Sequence, residues 1–196
     1  MVQRRFTTIY LDMDGVLADF HGSALAAHGV KETHRDQWPI PGQDLQDRLG
    51  FHDHSSTSNE QFWNPILAVK NFWFEVELFH WTKQLIAMCD SYVSGPHGVV
   101  ICSSPASSWT GEDKRQKLLW LTKHGIHREV KFESKKAGLS KPGTLLIDDW
   151  EKQVYPFEEG EGNAILFPQP WNQNYHLAAD PIAFVCNQLE TISRSL

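Results

Sequence analysis

Five short runs rich in Val, Ile and Leu recur along the chain, at residues 6–11, 99–102, 130–132, 144–147 and 164–167, with helix-like patterns between several of them. This alternation constrains the fold more than any other feature. Parallel strands cannot be joined by a tight turn; they need a crossover, usually a helix. The pattern therefore predicts an α/β fold with a mostly parallel sheet covered by helices. Leu78, Trp81, Leu85 and Met88 follow the i, i+3, i+7, i+10 spacing of one helix face. Residues 114–124 read as a second helix, with Gly125 placed to end it, and residues 177–193 as a C-terminal one.

One segment interrupts the alternation. Residues 21–75 carry no core-strand pattern; they offer a helix at 22–28, a polar Pro/Gly stretch at 38–42 and a soft loop at 52–59. Ser58 and Gln61 fit a capping box for a helix that carries Phe62, Trp63, Ile66 and Leu67. The expected organisation is a core of residues 1–20 and 76–196 with a helical cap, 21–75, inserted after the first strand. Sitting directly after a strand end, this insert is expected to hang over that end as a lid, with ordinary helical packing on a sheet face as the alternative.

Composition narrows the function classes. Eighteen Lys and Arg against 24 Asp and Glu give a net charge of −6 over 196 residues. A broad nucleic-acid-binding face is therefore not expected. Cys89, Cys102 and Cys186 lie far apart, form no metal-binding spacing and fit a reduced compartment. The N-terminal apolar residues are soon interrupted, unlike a signal peptide. No run approaches the ~20 apolar residues of a membrane helix. A cytoplasmic protein with no membrane partner is the expectation. Eight Trp and 11 Phe serve core filling first, with a stacking pocket as the alternative.

The chemistry-bearing residues sit where these runs end. The first run leads into Asp12-Met13-Asp14-Gly15, placing two carboxylates at the edge where open α/β sheets bind ligands. Crowded carboxylates are costly unless they share a proton or hold a cation. The second run ends in Ser103-Ser104-Pro105, either hydroxyls for phosphate oxygens or a common turn. The fourth enters Asp148-Asp149, a second strand bringing acids to the same edge. Hard oxygen ligands from two strands suit Mg²⁺ together with a phosphate. Before that strand lie Lys135, Lys136 and Lys141, read either as a solvated basic loop or as one charge that grips a phosphate. No Gly-x-x-x-x-Gly-Lys-[Ser/Thr] loop is present, so phosphate transfer from ATP is not expected.

In this order, Asp12-Met13-Asp14-Gly15, Ser103 after a strand, a lysine and Asp148-Asp149 resemble the four motifs of the haloacid dehalogenase-like (HAD) phosphatase superfamily. The stretch Asp12-Met13-Asp14-Gly15-Val16-Leu17-Ala18-Asp19-Phe20 is similar to the opening of the 5′(3′)-deoxyribonucleotidases and their phage and bacterial relatives. Cys102-Ser103-Ser104-Pro105 and Leu145-Leu146-Ile147-Asp148-Asp149 resemble their second and fourth motifs, and Trp171-Asn172 has the same flavour. The resemblance implies a Rossmann-like three-layer α/β core with a mostly parallel five-stranded sheet and a small helical cap. It implies a Mg²⁺-dependent phosphomonoesterase acting on (deoxy)ribonucleoside 5′-monophosphates through an aspartyl-phosphate.

By the same resemblance Asp12 is the nucleophile and Asp14 the general acid and base. Ser103, Ser104 and Lys136 bind phosphate. Asp12, the Asp14 backbone carbonyl and Asp149 hold Mg²⁺, with Asp148 in support. Relatives with a similar basic loop favour Lys136 over Lys135 and Lys141, and the division between Asp148 and Asp149 stays open. Phe20 matches the motif phenylalanine. Asn71-Phe72-Trp73-Phe74 is similar to an aromatic stretch that holds base and sugar. Phe20, Phe72 and Trp73 are thus expected substrate contacts, with packing of the cap hinge as the alternative for the last two. The implied partner is a small phosphomonoester, a nucleotide, rather than a nucleic acid, and a homodimer is left open. Two other readings stand beside this one: the same mechanism on a phosphosugar or a nucleic-acid 3′-phosphate end, or a catalytically silent ligand-binding relative.

Overall fold

The computed structural model describes residues 6–53, 55–95, 97–106 and 111–195. The strands are β1 (Thr8–Leu11), β2 (Val99–Ser103), β3 (Glu129–Phe132), β4 (Thr144–Asp148) and β5 (Asn163–Leu166). They form one sheet in the order β3-β2-β1-β4-β5, and every pairing is parallel. The five apolar runs are these five strands, with ends displaced by one or two residues.

Period-two alternation makes three layers of them. Ile9, Leu11, Val99, Ile101, Leu145, Ile147 and Ile165 enter one apolar cluster. There they meet α5 (Thr82–Tyr92) and α8 (Pro181–Ser195) through Leu85, Cys89, Val185 and Leu189. Tyr10, Val100, Cys102, Leu146, Ala164 and Leu166 point the other way, onto Val154 and Phe157 of α7 (Glu151–Glu158). Both faces are covered, so the strands read as continuous apolar runs rather than alternating ones.

The remaining core helix, α6 (Glu112–Lys123), adds Trp120 and Leu121 to the first cluster. Gly125 follows at φ 69°, the left-handed conformation that ends a helix. At the C-terminus the expected start at residue 177 is corrected. Tyr175–Leu177 is a separate 3-10 turn, and α8 begins at Pro181. Proline fits the first turn of a helix, where no N–H bond is lost, and cannot sit four residues inside one at no cost.

The segment expected to be a cap, together with Phe20, forms α1 (Phe20–Ala27), α2 (Leu45–Arg48), α3 (Ser56–Ala68) and α4 (Phe72–Glu75). The expected Ser58–Gln61 box is not what starts α3. Ser55 Oγ accepts the Ser58 N–H at 3.1 Å, so the helix begins inside the segment read as a loop. Phe62 and Ile66 turn inward as expected, whereas Leu67 is exposed. Trp38, Leu45, Phe62 and Ile66 belong to the same cluster as the sheet residues, so cap and core share one apolar interior. The chain enters and leaves the cap side by side. Asp19 N–H donates to Glu77 O at 2.8 Å, and Phe79 N–H to Leu17 O at 3.0 Å. No helix among the described residues is long and apolar enough to cross a membrane.

Candidate active site

The strand order decides where the motifs meet. From β1 the chain moves outward to β2 and β3, then returns to place β4 on the other side of β1. Such a reversal opens a crevice beyond the carboxyl ends of the central strands. Asp12 follows β1 directly, and its N–H donates to Ile147 O at 2.9 Å. Ser103 ends β2 and Asp148 ends β4. Residues more than 130 positions apart thus share one strand edge.

Lys136 binds the acids together. It opens a 3-10 turn, Lys136–Leu139, that Gln153 of α7 anchors by accepting the Lys136 N–H at 3.1 Å. The ammonium is 1% exposed and donates to Asp12 Oδ1 at 2.5 Å and Asp148 Oδ2 at 2.6 Å. Lys135 and Lys141 are exposed. Asp148 also accepts the Trp150 N–H at 2.9 Å, while Asp149 Oδ2 accepts the Trp171 indole N–H at 2.6 Å. One carboxylate oxygen each from Asp12, Asp148 and Asp149 lie within 4.8 Å of one another.

The electrostatics suit a cation. Burial pushes the Asp12 carboxyl up to about 7; Lys136 opposes this, and Asp148 and Asp14 add to it. Burial, with the charges of Asp148 and Asp12, also raises Asp149 well above its ordinary value. Burial disfavours charge on Lys136, but Asp12 and Asp148 outweigh it and hold the ammonium above its usual range. Three buried carboxylates face one ammonium, an excess of two negative charges when all are ionised. A hard divalent ion such as Mg²⁺ matches both that charge and an all-oxygen donor set. Space is reserved as well. Gly15 sits at φ 86°, and a Cβ there would run into the Asp149 carboxylate.

Asp14 is held by a residue that the sequence reading missed. Lys117 of α6, 1% exposed, donates to Asp14 Oδ2 at 2.5 Å, Ser103 Oγ at 2.8 Å and Ser104 O at 2.9 Å. Asp14 Oδ1 is buried and has no partner among the described residues. One carboxylate oxygen is therefore anchored, and the other is left without a partner among the described residues. A signal was present in the sequence. Asp113, Gln116, Lys117, Trp120 and Leu121 repeat at i, i+3, i+4, i+7 and i+8 and are all buried. A lysine on the face that carries Trp120 is costly unless partnered.

A cavity of about 580 Å³ opens over the acids. Asp12, Asp14, Ser104, Lys136, Asp148 and Asp149 line it together with Phe20, with His21, Leu45 and Phe62 of the cap, and with Trp150 and Trp171. Phe72 and Trp73 are buried and do not line it. Phe72 packs edge-on against Phe20 at 5.7 Å between centroids, and the Trp73 N–H donates to Gln116. His21 is stacked on Trp171 at 3.8 Å. Burial, aided by the Arg48 charge, lowers its imidazole to about 3, so it is a neutral ring in this wall.

No protein-family model matches the sequence, and no curated protein matches it either. Solved structures do match. A haloacid dehalogenase-like family hydrolase from Xanthomonas campestris aligns over 98% of this chain and 100% of its own, with TM-score 0.55 and 10% identity. A HAD family hydrolase from Deinococcus radiodurans, crystallised with phosphate and sodium, aligns over 95% of this chain and 89% of its own, with TM-score 0.52 and 14% identity. The chain has the α/β fold of HAD hydrolases.

Proposed function

We propose that this chain is a Mg²⁺-dependent phosphomonoesterase that works through Asp12 and acts on (deoxy)ribonucleoside 5′-monophosphates. One observation carries the reading: Lys136 bridges Asp12 and Asp148, with Asp149 alongside, at the base of a cavity walled by cap aromatics. Asp12, Asp149 and the Asp14 carbonyl are the ligands proposed for the ion, which when bound would neutralise charge on the phosphate.

The chain's own residues then divide the work. Asp12 attacks phosphorus in line, the ester P–O bond breaks, and an aspartyl-phosphate forms. Asp14 gives its proton to the leaving alkoxide. It then takes one from the water that attacks the same phosphorus and frees Asp12. Lys136 keeps the nucleophile in place and sets positive charge beside it. Lys117 and Ser103 fix the rotamer of Asp14. Lys117→Met should therefore lower kcat about 100-fold on alkyl phosphates, the low end for loss of acid–base assistance. It should cost much less on p-nitrophenyl phosphate, whose leaving group needs no proton; an equal loss on both would remove the role in acid–base chemistry.

The cavity supports the substrate class. Its volume lies within the ~300–1,000 Å³ of small-ligand sites, and the rings of Phe20, Phe62 and Trp150 are part of its lining. Stacking on an aromatic ring contributes roughly 1–3 kcal/mol per base. Asp44, Asp47 and Glu151 also line the cavity, opposed among the described residues only by Lys152 beyond the acid cluster, which disfavours ligands with further phosphates. Phe72 acts from behind by supporting Phe20, and Trp73 packs edge-on against Phe72. The decisive assay compares nucleoside 5′-monophosphates with sugar phosphates and p-nitrophenyl phosphate, in Mg²⁺ and in EDTA. Mg²⁺-dependent phosphate release is expected, with the highest kcat/KM for nucleotides. Preference for sugar phosphates would overturn the substrate, and no release from any monoester would overturn the enzyme.

A further inference from the structure

Asp149 is steered from outside its own strand. Its Oδ2 accepts the indole N–H of Trp171, from the loop that follows β5, at 2.6 Å. The indole is in turn oriented by the cap: His21 of α1 stacks on it at 3.8 Å and 11°, and Trp38 packs against it at 5.1 Å. A second cap contact reaches the same loop, where Arg35 Nε donates to Gln169 Oε1 at 3.0 Å. Gln169 Nε2 donates to the carbonyl of Gly15, next to Asp14, at 2.5 Å. One short loop thus touches the cap on one side and two acid-bearing segments on the other.

We infer that Trp171 is a positioning residue that sets the affinity of the acid cluster for its divalent ion and, through its stack with His21, makes that affinity depend on the cap. The inference rests on the reading that Asp149 is an ion ligand. A carboxylate with one oxygen fixed by an N–H presents its other oxygen in a defined direction. Partners of this kind typically change metal affinity about 10–100-fold when removed. An indole donor suits the task because it is rigid, acts only as a donor and offers two broad faces for packing. By reciprocity, whatever orders the cap over the cavity tightens the ion, and the ion orders the cap.

The test is Mn²⁺ binding to the full chain, read by electron paramagnetic resonance, with thermal melts in EDTA run in parallel. Trp171→Phe keeps a stacking ring and loses the N–H; its Mn²⁺ Kd is expected to rise about tenfold. His21→Ala keeps the N–H and loses its stacking partner; its Kd should rise about threefold, a smaller effect because the bond itself survives. A purely structural indole would lower the melting temperature in EDTA and leave Kd unchanged, and that result would overturn the inference. Should Trp171→Phe not fold, His21→Ala decides alone, and a wild-type Kd overturns it. Wild type that binds no Mn²⁺ overturns the underlying function instead, so the two failures are distinguishable.

Discussion

Asp12→Asn is expected to abolish phosphate release, by on the order of 10⁴-fold or more, while the protein remains folded. Loss of the proposed covalent nucleophile would leave only binding and electrostatic contributions. The amide has the carboxylate's shape and can still accept from Lys136, which keeps Asp148 as its second partner. Stability should move in an informative way. Burial raises the Asp12 carboxyl to about 7, far above its unfolded value of about 3.9. A raised acid binds its proton more tightly in the folded state, so its contribution is present at low pH and lost as the pH rises through about 7. Metal-free wild type should therefore lose stability across that range, and Asp12→Asn should lack this component. Urea denaturation in EDTA at pH 5 and pH 8 measures the difference. Residual turnover near the wild-type rate would remove Asp12 from the chemistry.

Lys136→Met is the second large effect. The substitution roughly preserves side-chain length and removes the ammonium on which Asp12 and Asp148 both depend. Breaking a buried ion pair from one side costs about 3–5 kcal/mol, because the remaining charge is left unpaired. Protonation of the carboxyls relieves that charge, so the loss should be greater at pH 8 than at pH 5. Turnover should fall about 10³-fold, comparable with removing a preorganised charge from an active site. Lys141→Ala, at an exposed position, should leave turnover unchanged. The opposite pattern in steady-state assays would transfer the catalytic role to Lys141.

Much of the fold was legible because it rests on local rules. The five strands show in the sequence as short apolar runs, since a parallel sheet covered on both faces needs apolar side chains on both. Gly125 announces the end of its helix through a backbone conformation that favours glycine. Element starts were less legible. Ser55 rather than Ser58 caps α3, and Pro181 rather than residue 177 opens α8. Both stretches contain several residues able to cap or break, and only the packed chain chooses among them. The acids at the ends of β1 and β4 could be read as a pair of neighbours because strand ends in such a sheet fall on one edge.

By itself, the sequence determined the sheet and its acidic edge. These follow from side-chain periodicity, which is a property of consecutive residues. Tertiary structure alone decided which lysine meets which carboxylate. Lys136 is selected from Lys135, Lys136 and Lys141 by a 3-10 turn docked on Gln153, and Lys117 arrives from a helix with no motif around it. It also decided that Phe20 lines the cavity while Phe72 and Trp73 lie behind it, and that Trp171 reaches Asp149. Charges find one another through space. The partner of a buried ion is fixed by whichever element packing brings within about 3 Å, and no spacing along the chain encodes that distance.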